Sequence, residues 1–173
     1  MDAVIIREML KEEIEWSAGV IRKGFGTVAR EFGLTVENCP ANGAFIKADR
    51  LREDLDKGNH MYVLLRNRSI IGFFQLEQKP EDRIELEKLT VLVEFRHYGY
   101  GKMLLEYAKQ KAGELGARQL TIGIIEENKL LKDWYAANGF LHTGTHKFEH
   151  LPFTVGYMSI PLNREAVHEP AAD

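Results

Sequence analysis

The spacing of apolar residues changes several times along the chain, and each change predicts a boundary between elements of secondary structure. The stretch AVIIREM (3–9) is rich in β-branched residues and predicts a strand. Residues 10–32 place apolar side chains near helical spacing, with Gly24 and Gly26 as expected breaks. A second, shorter helix is predicted in FIKADRLREDLDKG and ends at Gly58.

The middle of the chain predicts three consecutive strands followed by a helix. The strands are HMYVLLRN, SIIGFFQLEQK and RIELEKLTVLVEF, with the short turn RNRS between the first two. The helix begins after RHYGYG (96–101), and its apolar side is expected to consist of Met103, Leu104, Tyr107, Ala108, Ala112 and Leu115.

From Gly116 onward, strands and helices alternate. The strand GARQLTIGII is apolar enough to pair in parallel with the strand before it. The helix ENKLLKDWYAAN and the strands GFLHTGTHKFEH and FTVGYMSIPL complete the order β-α-α-β-β-β-α-β-α-β-β. This order predicts a single mixed α/β domain over residues 1–162. The segment 163–173 has no apolar periodicity, and we expect a flexible tail there.

Composition and charge restrict the classes of partner. The 173 residues carry a net charge of −3 with a sequence pI of about 6.1, which does not favour a nucleic acid or an anionic membrane. Cys39 is the only cysteine, which excludes an internal disulfide and a cysteine-rich zinc site. The N-terminus lacks the regions of a signal peptide, and no apolar run approaches the ~18 residues of a membrane span. We therefore expect a cytoplasmic protein without a membrane partner.

Two glycines at alternate positions stand directly before a predicted helix in RHYGYG. Glycine lets the backbone approach a ligand closely, and the N–H groups at a helix N-terminus attract anions. Arg96 and Lys102 flank this turn and could donate charged hydrogen bonds to phosphate oxygens. The turn predicts a pyrophosphate site, although a plain tight turn also explains the glycines. It is neither a Walker loop nor a dinucleotide fingerprint, because no Gly-Lys-Ser/Thr ends it and Leu104 occupies the third glycine position.

The residues around this turn form a longer pattern. The stretch LTVLVEFRHYGYGKMLLEYA resembles the coenzyme A motif of the GNAT superfamily of acyl-CoA-dependent N-acyltransferases, with matches at Leu89, Val91, Arg96, Gly99 and Gly101. The stretch NKLLKDWYAANGF resembles a second motif of the superfamily, with matches at Asn128, Leu131, Tyr135, Gly139 and Phe140. The resemblance extends over residues 3–161. It implies a GNAT-type fold with a central mixed, mostly antiparallel sheet flanked by helices.

The resemblance also implies acetyl-CoA as the co-substrate. The turn would hold the pyrophosphate, and main-chain groups of the preceding strand would pair with the pantetheine arm. The implied coenzyme-binding residues are Leu89, Thr90, Val91, Arg96, His97, Tyr98, Gly99, Tyr100, Gly101, Lys102 and Asn128. Asn128 begins a predicted helix, so a role as its N-cap is an open alternative.

Transfer of an acyl group to an amine requires a base. At pH 7 only one lysine-like amine in ~2,500 is neutral, so a group that removes the proton lowers the barrier. By resemblance, the base would be Glu87 or Glu85, which alternate on one strand and are expected to face the same way as Leu89. Glu87 is the first choice because it lies nearer the thioester end of the strand, and Tyr135 is the implied acid. Solvated glutamates and a core tyrosine are the alternatives.

No metal is expected. His142, His146 and His150 repeat at intervals of four residues, but four residues of a strand span ~13 Å, too far for two of them to bind one zinc ion. His150 could instead line an acceptor pocket.

The expected acceptor is a primary amine of a small molecule or a peptide. By resemblance, its specificity would come from 26–45 and 146–156, which combine phenylalanines with glutamates. A homodimer is compatible with the sequence. Two other functions stay open: a non-catalytic acyl-CoA-binding or sensing domain, and a nucleotide-type transferase, which the missing third glycine disfavours.

Overall fold

The computed structural model describes residues 2–162. The expected tail, 163–173, lies outside the described residues. Seven strands and four α-helices follow one another in the predicted order. They are β1 Val4–Glu8, α1 Ile14–Glu31, α2 Ala48–Asp56, β2 His60–Arg66, β3 Ser69–Lys79, β4 Arg83–Val91, α3 Tyr100–Glu114, β5 Gln119–Ile125, α4 Lys129–Ala137, β6 Leu141–His146 and β7 Val155–Pro161. Single 3-10 turns lie at Lys11–Glu13, Gly43–Phe45 and Val93–Phe95.

The strands form one sheet in the order β1-β2-β3-β4-β5-β7-β6. Neighbouring strands are antiparallel except for β4 and β5, which are parallel, so the predicted mixed, mostly antiparallel sheet is confirmed. The parallel pairing is short, because it begins at Arg83 opposite Gln119 and ends at Glu85 opposite Thr121. Beyond that pair the two strands separate, which leaves the edge of β4 that faces β5 without a strand partner.

A β-bulge interrupts the pairing of β3 with β4. Gln75 pairs with Glu87 and Phe73 with Thr90, so Lys88 and Leu89 together oppose a single residue of β3. Lys88 has a backbone φ of +56°, in the left-handed region. An extra residue of this kind reverses the alternation of side chains along the strand.

The sheet carries a hydrophobic cluster on each face. The cluster beneath α3 and α4 includes Tyr62, Phe74, Leu104, Leu120 and Phe140. The cluster beneath α1 and α2 includes Ile14, Ile21, Leu51, Val63 and Phe73. Since aromatic and branched side chains in the centre of the sheet are buried on both faces, helices cover it on both sides, as in other mixed α/β domains.

Helix α1 continues through both glycines that were expected to break it, so that prediction was wrong. Gly24 is buried against β4, where an added Cβ would overlap Thr90 Oγ1 and stand 3.0 Å from Thr90 Cβ. At this position glycine permits two elements to approach closely, and it does not end the helix.

Two details of the predicted α3 region also differ. Met103 and Leu115 are exposed, and Leu105 takes a place in the core that the spacing did not assign to it. The strand before the turn ends at Val91, whereas the apolar run predicted a strand as far as Phe95. The chain turns at Val93–Phe95 instead, which brings it to the start of α3.

Candidate active site

The glycine-containing turn lies between the carboxyl end of β4 and the N-terminus of α3. His97 and Gly99 both have positive φ, +67° and +86°, and α3 begins directly afterwards at Tyr100. The first N–H groups of a helix have no intrahelical acceptor, and the helix dipole makes this end positive. His97, Tyr98, Gly99 and Lys102 are exposed, so the turn presents accessible donors beside the unpaired edge of β4.

Gly101 faces helix α4. A Cβ added there would lie 3.6 Å from Cζ2 of Trp134, an ordinary van der Waals distance. Gly101 is helical, and its φ is not among the positive values found in the described residues. The fold therefore tolerates a side chain at this position, so the protein's own packing does not require glycine there.

Arg96 is turned toward the protein. Its guanidinium donates hydrogen bonds to the carbonyl oxygens of Val91 (3.1 Å) and Gly24 (2.8 Å) and to Thr27 Oγ1 (3.0 Å). These contacts fasten the turn to the end of β4 and to the middle of α1. Arg96 therefore helps to position the turn, and the phosphate contact that the sequence suggested for it stays a prediction.

The bulge decides which way the residues of β4 face. Leu89 and Val91 pack in the cluster beneath α3 and α4, together with Ile84 and Leu86. The expectation that Leu89 faces the same way as Glu85 and Glu87 was wrong, since the extra residue places Leu89 on the opposite face. Thr90 points toward α1 instead, where it packs against Gly24.

Tyr135 lies in the cluster beneath α3 and α4. Its ring makes edge contacts with Trp134 (4.9 Å between centroids) and Phe140 (5.3 Å). The side chain is buried, and burial raises the pKa of its phenol. Asn128 caps the helix that carries Tyr135, because its Oδ1 accepts a hydrogen bond from the N–H of Leu131 at 3.2 Å.

Glu85 and Glu87 lie on the face of the sheet covered by α1 and α2. One carboxylate oxygen from each of them lies within 4.8 Å of one another and of an oxygen of Glu77, on β3. Lys79 Nζ is 3.3 Å from Glu77 and 3.4 Å from Glu85, so the ammonium group of this lysine partly neutralises the charge of the cluster. The side chain of Glu85 is 31% exposed and that of Glu87 is 22% exposed.

Glu87 is tied to a buried polar group on α2. Gln75 Nε2 donates to Glu87 Oε2 at 3.0 Å and to Asp54 Oδ2 at 3.2 Å. Lys88 Nζ, on the bulge, lies 3.2 Å from the same Asp54 oxygen and 3.4 Å from Glu87 Oε2. Asp54 is only 3% exposed and also accepts from Arg50 Nε at 3.2 Å.

The two carboxylates at the ends of this network have opposite pKa shifts. Burial, the largest effect, and a hydrogen bond with Glu77 raise the pKa of Glu87 to about 7. Burial also opposes ionisation of Asp54, but the hydrogen bond from Gln75 and the charge of Lys88 outweigh it and lower its pKa. Near neutral pH, Glu87 is thus poised to exchange a proton, and Asp54 is ionised.

The structure brings together the two segments expected to form the acceptor side. Ala29, Leu34 and Cys39 form a buried cluster with Ile125, at the end of β5. Phenylalanines and a leucine from both segments pack around this cluster: Phe32, Phe45, Leu151 and Phe153. Burial raises the pKa of the Cys39 thiol, which suits an apolar filler rather than a nucleophile.

The three histidines have separate environments. His142 Nε2 lies 2.9 Å from Glu126 Oε2, whereas His146 and His150 each pack against the ring of Phe148. His150 lies on the loop between β6 and β7, outside the strand that was predicted to include it. Within residues 2–162, the one group of three or more His, Cys, Asp or Glu side chains close enough to share an ion is the glutamate cluster.

Sequence reasoning missed Asp54, Gln75 and Glu77. Gln75 and Glu77 alternate on β3, and the next polar residue in the same register is Lys79. Polar residues at alternate positions of an otherwise apolar strand indicate a polar cluster, because polar groups on a buried strand need hydrogen-bond partners. Asp54 gave no such signal, since nothing in the sequence of α2 shows that its carboxylate is buried.

None of the helices in the described part of the chain is long and apolar enough to cross a membrane.

Comparisons with known proteins agree with this geometry. A curated relative, an uncharacterized N-acetyltransferase in the pepI 3′ region of Lactobacillus delbrueckii subsp. lactis, is 27% identical over 135 residues, which cover 70% of this chain and 77% of the relative. The fold is similar to that of the PaiA N-acetyltransferase from Thermoplasma acidophilum, solved in complex with coenzyme A, with a TM-score of 0.75 at 17% identity over 92% of this chain and 99% of that one. It is also similar to the ribosomal-protein-S18-alanine N-acetyltransferase from Escherichia coli, with a TM-score of 0.74 at 13% identity over 99% and 100% of the two chains.

The family model described as the acetyltransferase (GNAT) family matches residues 32–140. This range contains the unpaired edge of β4, the glycine turn, α3 and α4. The chain therefore belongs to the GNAT family of acetyltransferases.

Proposed function

We propose that the protein is an acetyl-CoA-dependent N-acetyltransferase that acts on a primary amine of a small molecule or a peptide. One observation carries the proposal: the pairing of β4 with β5 ends at Glu85, and the two faces of the sheet beside this opening carry a glutamate of raised pKa and a buried tyrosine. Glu87 lies on the face covered by α1 and α2, and Tyr135 lies on the face covered by α3 and α4.

The opening suits coenzyme A in two respects. The accessible N–H groups at the start of α3 fit the two negative charges of a pyrophosphate. The unpaired edge of β4 fits an arm that contains amide groups, because a free strand edge can hydrogen-bond to an added extended chain. His97, Tyr98, Gly99, Tyr100, Gly101 and Lys102 would surround the pyrophosphate, and main-chain groups of Leu89, Thr90 and Val91 would pair with the arm.

The reaction requires the acceptor nitrogen to lose a proton as it bonds to the thioester carbon. Glu87 would accept that proton, directly or through a water molecule, while the carbon–sulfur bond breaks and the thiolate leaves. A base with a pKa of about 7 has useful affinity for a proton, and at pH 7 about half of the molecules still carry it in the ionised form that can accept one. Glu85 is the second candidate, but it is more exposed and it pairs with Lys79.

Tyr135 would stabilise the leaving thiolate. Complete transfer of a proton from an ordinary phenol to a thiolate costs about 2 kcal/mol, since their pKa values lie near 10 and 8.5. Burial raises the pKa of Tyr135, so the cost in this protein is higher. The phenol therefore acts mainly as a hydrogen-bond donor to the sulfur as negative charge develops on it. A protonated primary amine loses two protons on becoming an amide, so Glu87 would accept one and the leaving thiolate would take up the other to form the thiol.

The acceptor would enter beside the cluster of Ala29, Leu34, Cys39 and Ile125. The aromatic side chains from both segments around this cluster provide an apolar surface, and exposed acids such as Glu31, Glu37 and Glu149 lie in the same segments. Such a surface suits a cationic or amphipathic amine.

A panel of amines incubated with acetyl-CoA, with release of free thiol as the readout, tests the proposal. Thiol release that depends on both the amine and the enzyme supports it. Stabilisation by coenzyme A without turnover on any amine would favour the alternative, a non-catalytic acyl-CoA-binding domain. At one hundred times its dissociation constant a ligand adds about 2.7 kcal/mol to the free energy of unfolding, so a thermal shift readily detects such binding.

A further inference from the structure

The glutamate cluster on β3 and β4 contains nearly balanced charge. Its carboxyl groups are those of Asp54, Glu77, Glu85 and Glu87, and its cationic groups are those of Arg50, Lys79 and Lys88. One proton retained among the carboxyls makes the cluster neutral. Because carboxylates a few ångströms apart resist ionising together, such a proton is retained among the three glutamates, whose oxygens lie within 4.8 Å of one another.

The proton can be assigned to Glu77 and Glu87. These side chains come from different strands, and their carboxylate oxygens lie within 4.8 Å of each other. The hydrogen bond between them lowers the pKa of Glu77 and raises that of Glu87, as expected when one carboxyl donates to an ionised neighbour. Lys79 Nζ lies 3.3 Å from Glu77 and 3.4 Å from Glu85, so this cation favours the ionised forms of both and leaves Glu87 as the carboxyl that retains the proton.

The orientation of Glu87 is fixed from the other side. Gln75 is fully buried, and its NH₂ group donates to two carboxylates, those of Glu87 and Asp54. If the amide were flipped, its oxygen would face both carboxylate oxygens without a hydrogen between them, so the orientation of the amide is determined. This orientation leaves Gln75 Oε1 without a hydrogen-bond partner among residues 2–162.

Lys88 reaches the same oxygen of Glu87 because of the bulge. On a regular strand Lys88 would point away from Glu87, since successive side chains alternate. The bulge gives it a left-handed backbone, and its ammonium group lies between Asp54 and Glu87. It therefore opposes the effect of Glu77, because a cation favours the ionised form of Glu87 and a carboxylate disfavours it.

From this geometry we propose that Glu77 and Glu87 act as one proton-accepting pair, and that Lys88, held by Asp54, sets the pH at which the pair takes up its proton. Glu77 and Lys88 are thus positioning residues for the base. The inference rests on the proposed function only in naming Glu87 as the base. The pairing itself is a property of the free protein and is measurable without a substrate.

The test is a titration of the Glu87 carboxyl carbon by NMR in protein labelled at glutamate, with Glu87→Gln used to assign the signal. In Glu77→Gln we expect the titration midpoint of Glu87 to fall by about one pH unit or more, because a like charge and its hydrogen bond are removed. In Lys88→Met we expect the midpoint to rise, and in Lys88→Arg, which keeps the charge, to stay near the wild-type value. Glu53→Gln removes an exposed carboxylate of α2 and serves as the control, with no shift expected.

The same variants are then assayed for the pH dependence of kcat/KM. If its acidic limb moves with the NMR midpoint in both directions, the pair is the base. An unchanged midpoint in Glu77→Gln, with the fold verified by circular dichroism, overturns the shared proton. Midpoints that move while the acidic limb stays fixed overturn Glu87 as the base, and with it the catalytic part of the inference, but leave the pairing established.

Discussion

Gly24 of α1 and Thr90 of β4 lie in direct contact, so that any side chain at position 24 would overlap the threonine hydroxyl. The contact brings the middle of α1 against the end of β4. Arg96 reinforces it from the turn, since its guanidinium donates to the carbonyl oxygen of Gly24. The helix, the end of the strand and the turn thus form one unit beside the opening between β4 and β5.

This contact predicts opposite effects for two glycines of the same helix. Gly24→Ala should destabilise the protein by about 1–3 kcal/mol, because the added methyl group has no space. In Gly26→Ala the new Cβ would lie 3.7 Å from Arg30 Nη1, an ordinary contact, so the higher helix propensity of alanine should stabilise the protein by up to about 1 kcal/mol. Urea denaturation of both variants measures the difference. Equal stabilities would contradict the close approach of α1 to β4.

A second pair of glycines tests the coenzyme site. Gly101→Ala should weaken binding of coenzyme A, because a Cβ would occupy space beside the N–H groups at the start of α3. The fold should be kept or stabilised, since the Cβ lies at a normal distance from Trp134. Gly113→Ala, in the same helix but with nothing within 4 Å of the new Cβ, is the control. Calorimetric titration with coenzyme A should show weaker binding in the first variant alone, and unchanged affinity in both would remove Gly101 from the proposed coenzyme site.

Tyr135→Phe removes only the hydroxyl and keeps the ring contacts with Trp134 and Phe140. If the phenol donates a hydrogen bond to the departing thiolate, kcat should fall by the ~10²–10³-fold typical of losing one donor to a developing anion. Affinity for coenzyme A should change little. Tyr157→Phe, at an exposed position of β7, should leave both quantities unchanged. If Tyr135→Phe retains more than half of the wild-type kcat while the chemical step is rate-limiting, Tyr135 has a packing role in the core and no role in the reaction.

The raised pKa of Glu87 predicts how both activity and stability depend on pH. The folded protein retains a proton on this group between the ordinary glutamate pKa and about 7, whereas the unfolded chain has lost it. The free energy of unfolding should therefore decrease as the pH rises through this range. Glu87→Gln should remove that decrease and make the protein relatively more stable at pH 8.

The substitution Glu87→Gln, which should stabilise the protein at pH 8, should lower its activity there. We expect Glu87→Gln to lower kcat/KM by ~10²–10⁴-fold at pH 8, and Glu85→Gln, the matched variant on the same strand face, to have a small effect. Denaturation at pH 5 and pH 8, together with the rate profile, measures both properties. A large loss of activity in Glu85→Gln alone would transfer the role of base to Glu85.

The elements of the fold and the glycine turn were predictable because each depends on local sequence. The hydrophobic spacing determined the element order, and the turn before α3 needed only the glycines and the helix that follows. Directions of side chains were less predictable. Whether Leu89 lies on the same face of the sheet as Glu87 depends on the β-bulge. The sequence of Lys88 and Leu89 is compatible with a regular or a bulged strand, and only the pairing of β3 with β4 decides between them. The direction of Arg96 likewise depends on the carbonyl group of Gly24, far away in the sequence.

The brief parallel pairing of β4 with β5 has a consequence for hydrogen exchange. The sheet consists of two leaves, β1 to β4 and β5 to β7, joined at one end by the pairs from Arg83 to Glu85. Amides of β4 that point into the opening beyond Glu85 lack a strand acceptor and should exchange with solvent quickly, while those directed at β3 exchange slowly. Coenzyme A, by pairing with that edge, should slow the first group and leave the second unchanged. Binding of coenzyme A in the opening would then protect the amides of β4 in the same way as pairing with an additional strand.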